Sequence, residues 1–271
     1  MNVWLLILAG WVTSSIVMSL LWLWQKTTGG KAGMVDVAWP LTVGTLAAFF
    51  CVTANEGLLE RRIVIAVLAM LWAVRLSWHI WTRLQKETDD GRYLQLRESW
   101  GNQFQRKLFS FYQLQAFGGL LFALPMLIAA WNPEPLGWLD YLGVIIWVVA
   151  IVGESVADAQ LKRFKTDPNN KGKVCQSGLW RYSRHPNYFF EWLHWWSYVG
   201  FAVTAPWGWI TIIGPLAMLY FIVFVTGIPP TEKQSLKSRG EAYRRYQQTT
   251  SAFFPWFPRK SLVSDNGALQ R

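Results

Sequence analysis

The sequence predicts an all-α fold, a polytopic membrane protein with a bundle of about seven transmembrane helices. Three observations predict it. Seven apolar stretches each approach the roughly 20 helical residues needed to cross about 30 Å of hydrocarbon. Hydrophobic residues make up 52% of the 271 residues and charged residues only 15%, against about 25% charged in a soluble domain. The basic residues gather in alternate connecting segments, the pattern left by membrane insertion.

Residues 3–24 carry no charge. No basic segment precedes them and no small-residue cleavage site follows, so they read as a span and not a signal peptide. Residues 34–54 hold one charge, Asp36, near the start. Residues 63–84 hold Arg75 and His79, four apart and so on one helix face. Residues 109–131 and 207–228 are uncharged. Residues 139–157 carry Glu154 near their end, with Asp158 four residues on. Residues 188–205 carry Glu191 and His194, three apart. Ionisable residues within spans are costly, face protein or cavity, and mark function unless they sit at a helix end and reach water.

Net charge is +10. The segments after the first, third, fifth and seventh stretches hold 23 of the 26 Lys and Arg. That places these segments and the C-terminus in the cytosol and the N-terminus outside. The charge thus fits cytosolic loops of a membrane protein, and no nucleic-acid partner is expected. Two cysteines exclude a disulfide scaffold, and three scattered histidines make no metal site. No Gly-x-Gly-x-x-Gly after a strand and no phosphate-binding Walker loop appears.

The richest segment is 178–191, Gly-Leu-Trp-Arg-Tyr-Ser-Arg-His-Pro-Asn-Tyr-Phe-Phe-Glu. Pro186 suits the first turn of a helix, flanked by Ser183 or His185. A helix N-terminus beside Arg181, Arg184 and His185 suits phosphate groups. Trp180 and Tyr182 offer rings for stacking on a base. Asn187 and Glu191, one turn apart, offer hydrogen bonds to an amide or sugar at membrane depth. With Lys162, Lys165 and Tyr188 alongside, the cluster points to a nucleotide cofactor. The alternative is a basic juxtamembrane segment meeting anionic lipid. The stretch from Pro229 to Pro255 has helical spacing and alternating charge. It either closes that pocket, with Arg244, Arg245 and Tyr246 inside, or lies on the membrane surface.

The Arg-His-Pro-Asn-Tyr run at 184–188, with Glu191-Trp192 behind it, resembles the steroid 5-alpha-reductase family, and most closely its bacterial DUF1295-type branch. Asp158 and Leu161 with the basic residues after them resemble it too, as do Glu232, Leu236, Gly240, Tyr243 and Tyr246. The likeness covers residues 140–258. Before residue 130 it lies in the pattern of spans, with Asp36-x-x-Trp39 the sharpest feature. The resemblance implies one transmembrane catalytic domain over 1–261, followed by a polar tail at 262–271. It implies a bacterial inner membrane, NADPH held in a site facing the cytosol, and a 3-oxo-Δ4 steroid or similar lipophilic enone entering from the bilayer. Asn187 and Glu191 then meet the nicotinamide end of the cofactor. Asp158 meets the adenosine or ribose part, and Lys165 a phosphate. Glu154 stands where the steroid enzymes have an asparagine. On the substrate side, Asp36 is expected to polarise the carbonyl as a neutral acid, supported by Arg75 or His79, in the aromatic setting of Trp39, Trp78 and Trp81. Isoprenylcysteine and phospholipid methyltransferases carry a similar Arg-His-Pro-x-Tyr, so an S-adenosylmethionine enzyme stays open as an alternative. A non-enzymatic sterol- or lipid-binding membrane protein is the third reading.

Overall fold

A computed structural model of the chain describes residues 2–85 and 91–259. The polar tail at 262–271 and Lys86 lie outside them. The described chain is helical: α1 (Val3–Thr28), α2 (Met34–Thr53), α3 (Leu59–Leu84), α4 (Gly91–Trp100), α5 (Phe104–Ala130), α6 (Trp138–Thr166), α7 (Pro186–Ala202), α8 (Ile213–Tyr220) and α9 (Ile228–Thr249). Six helical segments are long and apolar enough to cross a membrane, and α7 adds 17 residues. The predicted stretches all appear as helix, most of them longer than predicted. The short α4 was read as loop.

The chain forms two compact units. The first comprises residues up to Tyr141 together with Tyr198–Gly214. Here α2 packs on α3 and α5, and α1 packs on α5. Close approach of α2 to α3 needs Gly44, because a Cβ there would lie 2.6 Å from the Cβ of Ala73. Pro40 interrupts α2 and has no N–H for the carbonyl one turn back. Ser77 Oγ of α3 donates to the adjacent carbonyl of Val37 at 2.8 Å. Tyr112 Oη of α5 donates to the carbonyl of Ala32 at 2.8 Å. Both bonds give a buried side-chain hydroxyl its acceptor on α2 or the segment before it.

At one end of this unit Arg61 is 1% exposed. Its Nε and Nη2 donate to the two carboxylate oxygens of Asp140 at 2.6 and 2.9 Å. Its Nη1 donates to the carbonyls of Asn132 and Glu134, both at 2.8 Å. Arg62 donates to the carbonyls of Cys51 and Val52 at the end of α2. The two cations that follow the second predicted span are thus spent on holding the α5–α6 turn and the α2–α3 corner.

The second unit comprises Leu142–Ser197 and the chain from Pro215. The last predicted span is not one regular helix. A 3₁₀ turn (Gly208–Ile212) precedes α8, and a π-helical turn (Phe221–Val225) follows it. Gly227 then allows the chain to double back, since a Cβ there would lie 2.6 Å from the carbonyl oxygen of Ile222.

The buried Arg61 pair makes a prediction. Removing one partner leaves an uncompensated buried charge, which costs about 3–5 kcal/mol. Arg61→Ala should lower the thermal midpoint of the detergent-purified protein sharply. A midpoint within about 1 °C of the parent would contradict the assignment.

Candidate functional site

The second unit places most of the sequence-predicted cofactor residues on one pair of helices and the loop between them. Within it, α6 and α7 run antiparallel in a definite register. Asn187 Nδ2 of α7 donates to Asp158 Oδ1 of α6 at 3.2 Å. A Cβ on Gly153 would fall 2.4 Å from the ring of Phe190. Moving one turn back along α6 reaches Glu154, and one turn on along α7 reaches Glu191, at the matching level. Glu154 is buried. Glu191 is half-buried and accepts from Trp195 Nε1 at 3.2 Å. The fully buried His194 comes next, edge-on to Trp195. Four carboxylate or amide side chains and an imidazole thus form a polar column between otherwise apolar helices.

The loop from α6 to α7 folds back along α6. Gly178 takes a positive φ of 60°, and a Cβ there would strike the Gln160 amide. Leu179 N–H donates to Gln160 Oε1 at 2.9 Å, and Trp180 Nε1 to the carbonyl of Ala157 at 2.9 Å. Trp180 is therefore buried and spent. Tyr182 is half-buried, edge-on to Phe257 at 5.9 Å.

The C-terminal segment closes on this loop through one carboxylate. Glu232 Oε1 accepts from Arg184 Nε at 2.7 Å and from His185 Nε2 at 3.3 Å. Its Oε2 accepts from Gln247 Nε2 at 2.7 Å. Arg184 Nη1 donates to the carbonyl of Gln247 at 3.0 Å, and its backbone N–H to the carbonyl of Ser251 at 2.8 Å. Ser183 Oγ donates to the carbonyl of Phe253 at 2.8 Å. Tyr188 and Thr231 share a hydroxyl–hydroxyl bond of 3.1 Å. The buried Tyr246 hydroxyl donates to the carbonyl of Trp180. The segment after α9 thus lies against the Arg-His-Pro motif, with Tyr246 inside. Arg244 and Arg245 stay exposed, and Arg244 pairs with Glu241 at the surface.

The predicted phosphate-binding residues accordingly separate into two sets. Arg184 and His185 bind the protein's own C-terminal segment. Lys162, Lys165 and Arg181 are exposed on α6 and the loop.

The proposed substrate residues belong to the first unit. Asp36 Oδ2 accepts from Arg92 Nη2 at 2.5 Å, and Oδ1 from Tyr93 Oη at 3.0 Å. Tyr93 is fully buried. An acid paired with a guanidinium is an acceptor, so the neutral-acid role expected for Asp36 does not fit this geometry, and the donors are Arg92 and Tyr93. Trp39 packs edge-on to Trp72 and Phe122. Arg75 and His79 are half-buried on α3. Trp78 is 67% exposed and turned outward, so it is not brought to Asp36.

Residues 21–250 match the family of proteins of unknown function DUF1295. This chain belongs to that family. An uncharacterised protein of the fission yeast Schizosaccharomyces pombe is 27% identical over 301 aligned positions, covering 96% of this chain and 83% of the relative. A probable O-methyltransferase of Ustilaginoidea virens is 48% identical over 46 residues, 17% of this chain and 16% of that protein. No solved structure matches the chain.

The Glu232 cluster carries a pH prediction. Burial alone would raise the Glu232 carboxyl, but the hydrogen bonds from His185 and Arg184 and the charge of Arg184 hold it at about 2, below its ordinary 4.5. Its contribution is complete above about 4.5 and is lost as pH falls towards about 2. Burial also lowers His185 below its ordinary 6.5, against the pull of Glu232. The unfolded chain then takes up a proton that the folded chain refuses, so stability falls as pH drops below about 6.5. Thermal midpoints should decline from pH 7 to pH 4, and His185→Gln should flatten the upper part of that decline. A profile unaffected by the substitution would contradict it.

Proposed function

We propose that the protein is a membrane-embedded, NADPH-dependent reductase acting on the C=C of a 3-oxo-Δ4 steroid or similar lipophilic enone. The observation that carries this reading is the polar column on α6 and α7, Asp158–Asn187 and Glu154–Glu191, with exposed cations beside it. Such groups are expensive at membrane depth and are kept for function.

The residues present suit the cofactor. Asn187 and Glu191 offer a donor and an acceptor of the kind a primary carboxamide needs. Asp158 is an acceptor for ribose hydroxyls. Lys162, Lys165 and Arg181 supply charge for the pyrophosphate and 2′-phosphate. When bound, the cofactor supplies a hydride for the β-carbon of the conjugated alkene. Negative charge then develops on the carbonyl oxygen as an enolate forms, and the α-carbon takes a proton. A fixed donor at such an oxygen is worth about 3–4 kcal/mol elsewhere.

A second reading is an S-adenosylmethionine-dependent methyltransferase. The short match to a probable O-methyltransferase favours it, as does the Arg-His-Pro-Asn-Tyr run. That cofactor carries no phosphate and gives the exposed cations no task.

Thermal stabilisation by NADPH, NADH and S-adenosylmethionine separates these readings. At about 100 times its dissociation constant a ligand adds about 2.7 kcal/mol to stability. NADPH should raise the midpoint, and Glu191→Gln should abolish most of the rise together with enone reduction. Stabilisation by S-adenosylmethionine alone would replace the reductase with the methyltransferase. No response to any of the three would leave a lipid-binding protein.

A further inference from the structure

The first unit contains a cavity with basic and aromatic walls that the proposed chemistry does not use. It lies where the end of α1 meets the start of α5 and has a volume of about 550 Å³. Its walls include Trp22, Lys26, Asn102, Gln105, Arg106 and Phe109. On α1 the apolar run ends at Trp24, and Gln25 and Lys26 follow. On α5 the order reverses, with Gln105, Arg106 and Lys107 ahead of Leu108 and Phe109. Both helices therefore pass from apolar to basic at this level. That transition, with aromatic residues on its apolar side, marks the headgroup layer of a bilayer.

The walls are organised by their own contacts. Trp22 stands edge-on to Phe109 at 5.0 Å, and its Nε1 donates to the carbonyl of Gln105 at 3.1 Å. Lys26 Nζ lies 5.0 Å from the centre of the Trp22 ring, which fixes the ammonium at the rim. Lys26 and Arg106 are exposed, and no carboxylate among the described residues lines the cavity. Two cations that share a cavity without a carboxylate favour an anionic occupant.

A chain of amides ties this wall together. The fully buried Gln25 donates through Nε2 to the carbonyl of Gly30 at 3.1 Å. Its Oε1 accepts from Gln105 Nε2 at 3.2 Å.

We infer that this cavity binds the headgroup of an anionic phospholipid. The phosphate sits between Lys26 and Arg106, and the acyl chains lie against Trp22 and Phe109. Basic pockets between transmembrane helices hold anionic headgroups in this way. The inference does not depend on the proposed reaction.

The test adds phosphatidylglycerol, phosphatidylcholine or inorganic phosphate to the full-length protein in neutral detergent and follows thermal unfolding. Phosphatidylglycerol should raise the midpoint by about 5 °C, and the other two should have little effect. The double variant Lys26→Ala/Arg106→Ala should unfold at the parent's temperature without lipid, since both side chains are exposed, and should lose the rise. Lys26→Arg should retain it. An equal response to phosphatidylcholine would overturn the proposal, and so would an undiminished response of the double variant. A rise with inorganic phosphate alone would show a free-anion site and overturn the lipid assignment. If the double variant unfolds early without lipid, native mass spectrometry of the single variants decides. Loss of retained phosphatidylglycerol supports the site, and unchanged retention removes it.

Discussion

A hydrocarbon solvent offers no hydrogen bonds, and that constraint orders what this chain does with its few polar groups. The polar groups detailed above are either spent on the protein or gathered where a ligand can use them. Arg61 shows the first outcome, with its guanidinium divided among a carboxylate and three carbonyls. Ser77, Tyr112 and Trp180 each donate to a backbone carbonyl on another part of the chain. The column on α6 and α7 differs in kind. It gathers several carboxylates where helix packing alone would prefer apolar side chains.

The Arg-His-Pro-Asn-Tyr motif joins the two outcomes. Its first half holds the C-terminal segment through Glu232, and its second half opens α7 and faces Asp158. One short run of sequence therefore both closes the end of the unit and sets the register of the polar column. Arg184 and His185 are thus occupied by the protein's own C-terminal segment. In the proposed function the phosphate role falls to cations whose side chains remain at the surface.

Much of this was legible in the sequence. The apolar stretches were visible because hydropathy is a local property, and Glu154 and Glu191 stood out as charge inside apolar runs, with Asp158 and Asn187 at their edges. The helical spacing of Glu154 with Asp158, and of Asn187 with Glu191, anticipated that each pair shares a face. What was not legible depended on residues far apart in sequence. Glu232 pairs with Arg184 across 48 positions, and nothing local distinguishes that arginine from its exposed neighbour Arg181. Arg92 and Tyr93 looked like part of a basic loop, yet they belong to a short helix that reaches Asp36. Trp78 shares a helix with Arg75 and His79, but its angular position turns it outward. The close approach of Gly227 to the Ile222 carbonyl at the end of the last apolar stretch is a steric fact that hydropathy does not record.

The central claim is that the polar column serves a ligand and not the stability of the helix pair. Replacing both partners of a buried polar pair by apolar residues of similar size is often neutral or stabilising, whereas ligand binding has no such substitute. The most direct measurement is the thermal midpoint of Asp158→Leu/Asn187→Leu with and without NADPH. The account predicts a midpoint at or above the parent's in the absence of NADPH, and no rise when it is added. A much lower midpoint that still rises with NADPH would make the column structural and contradict it.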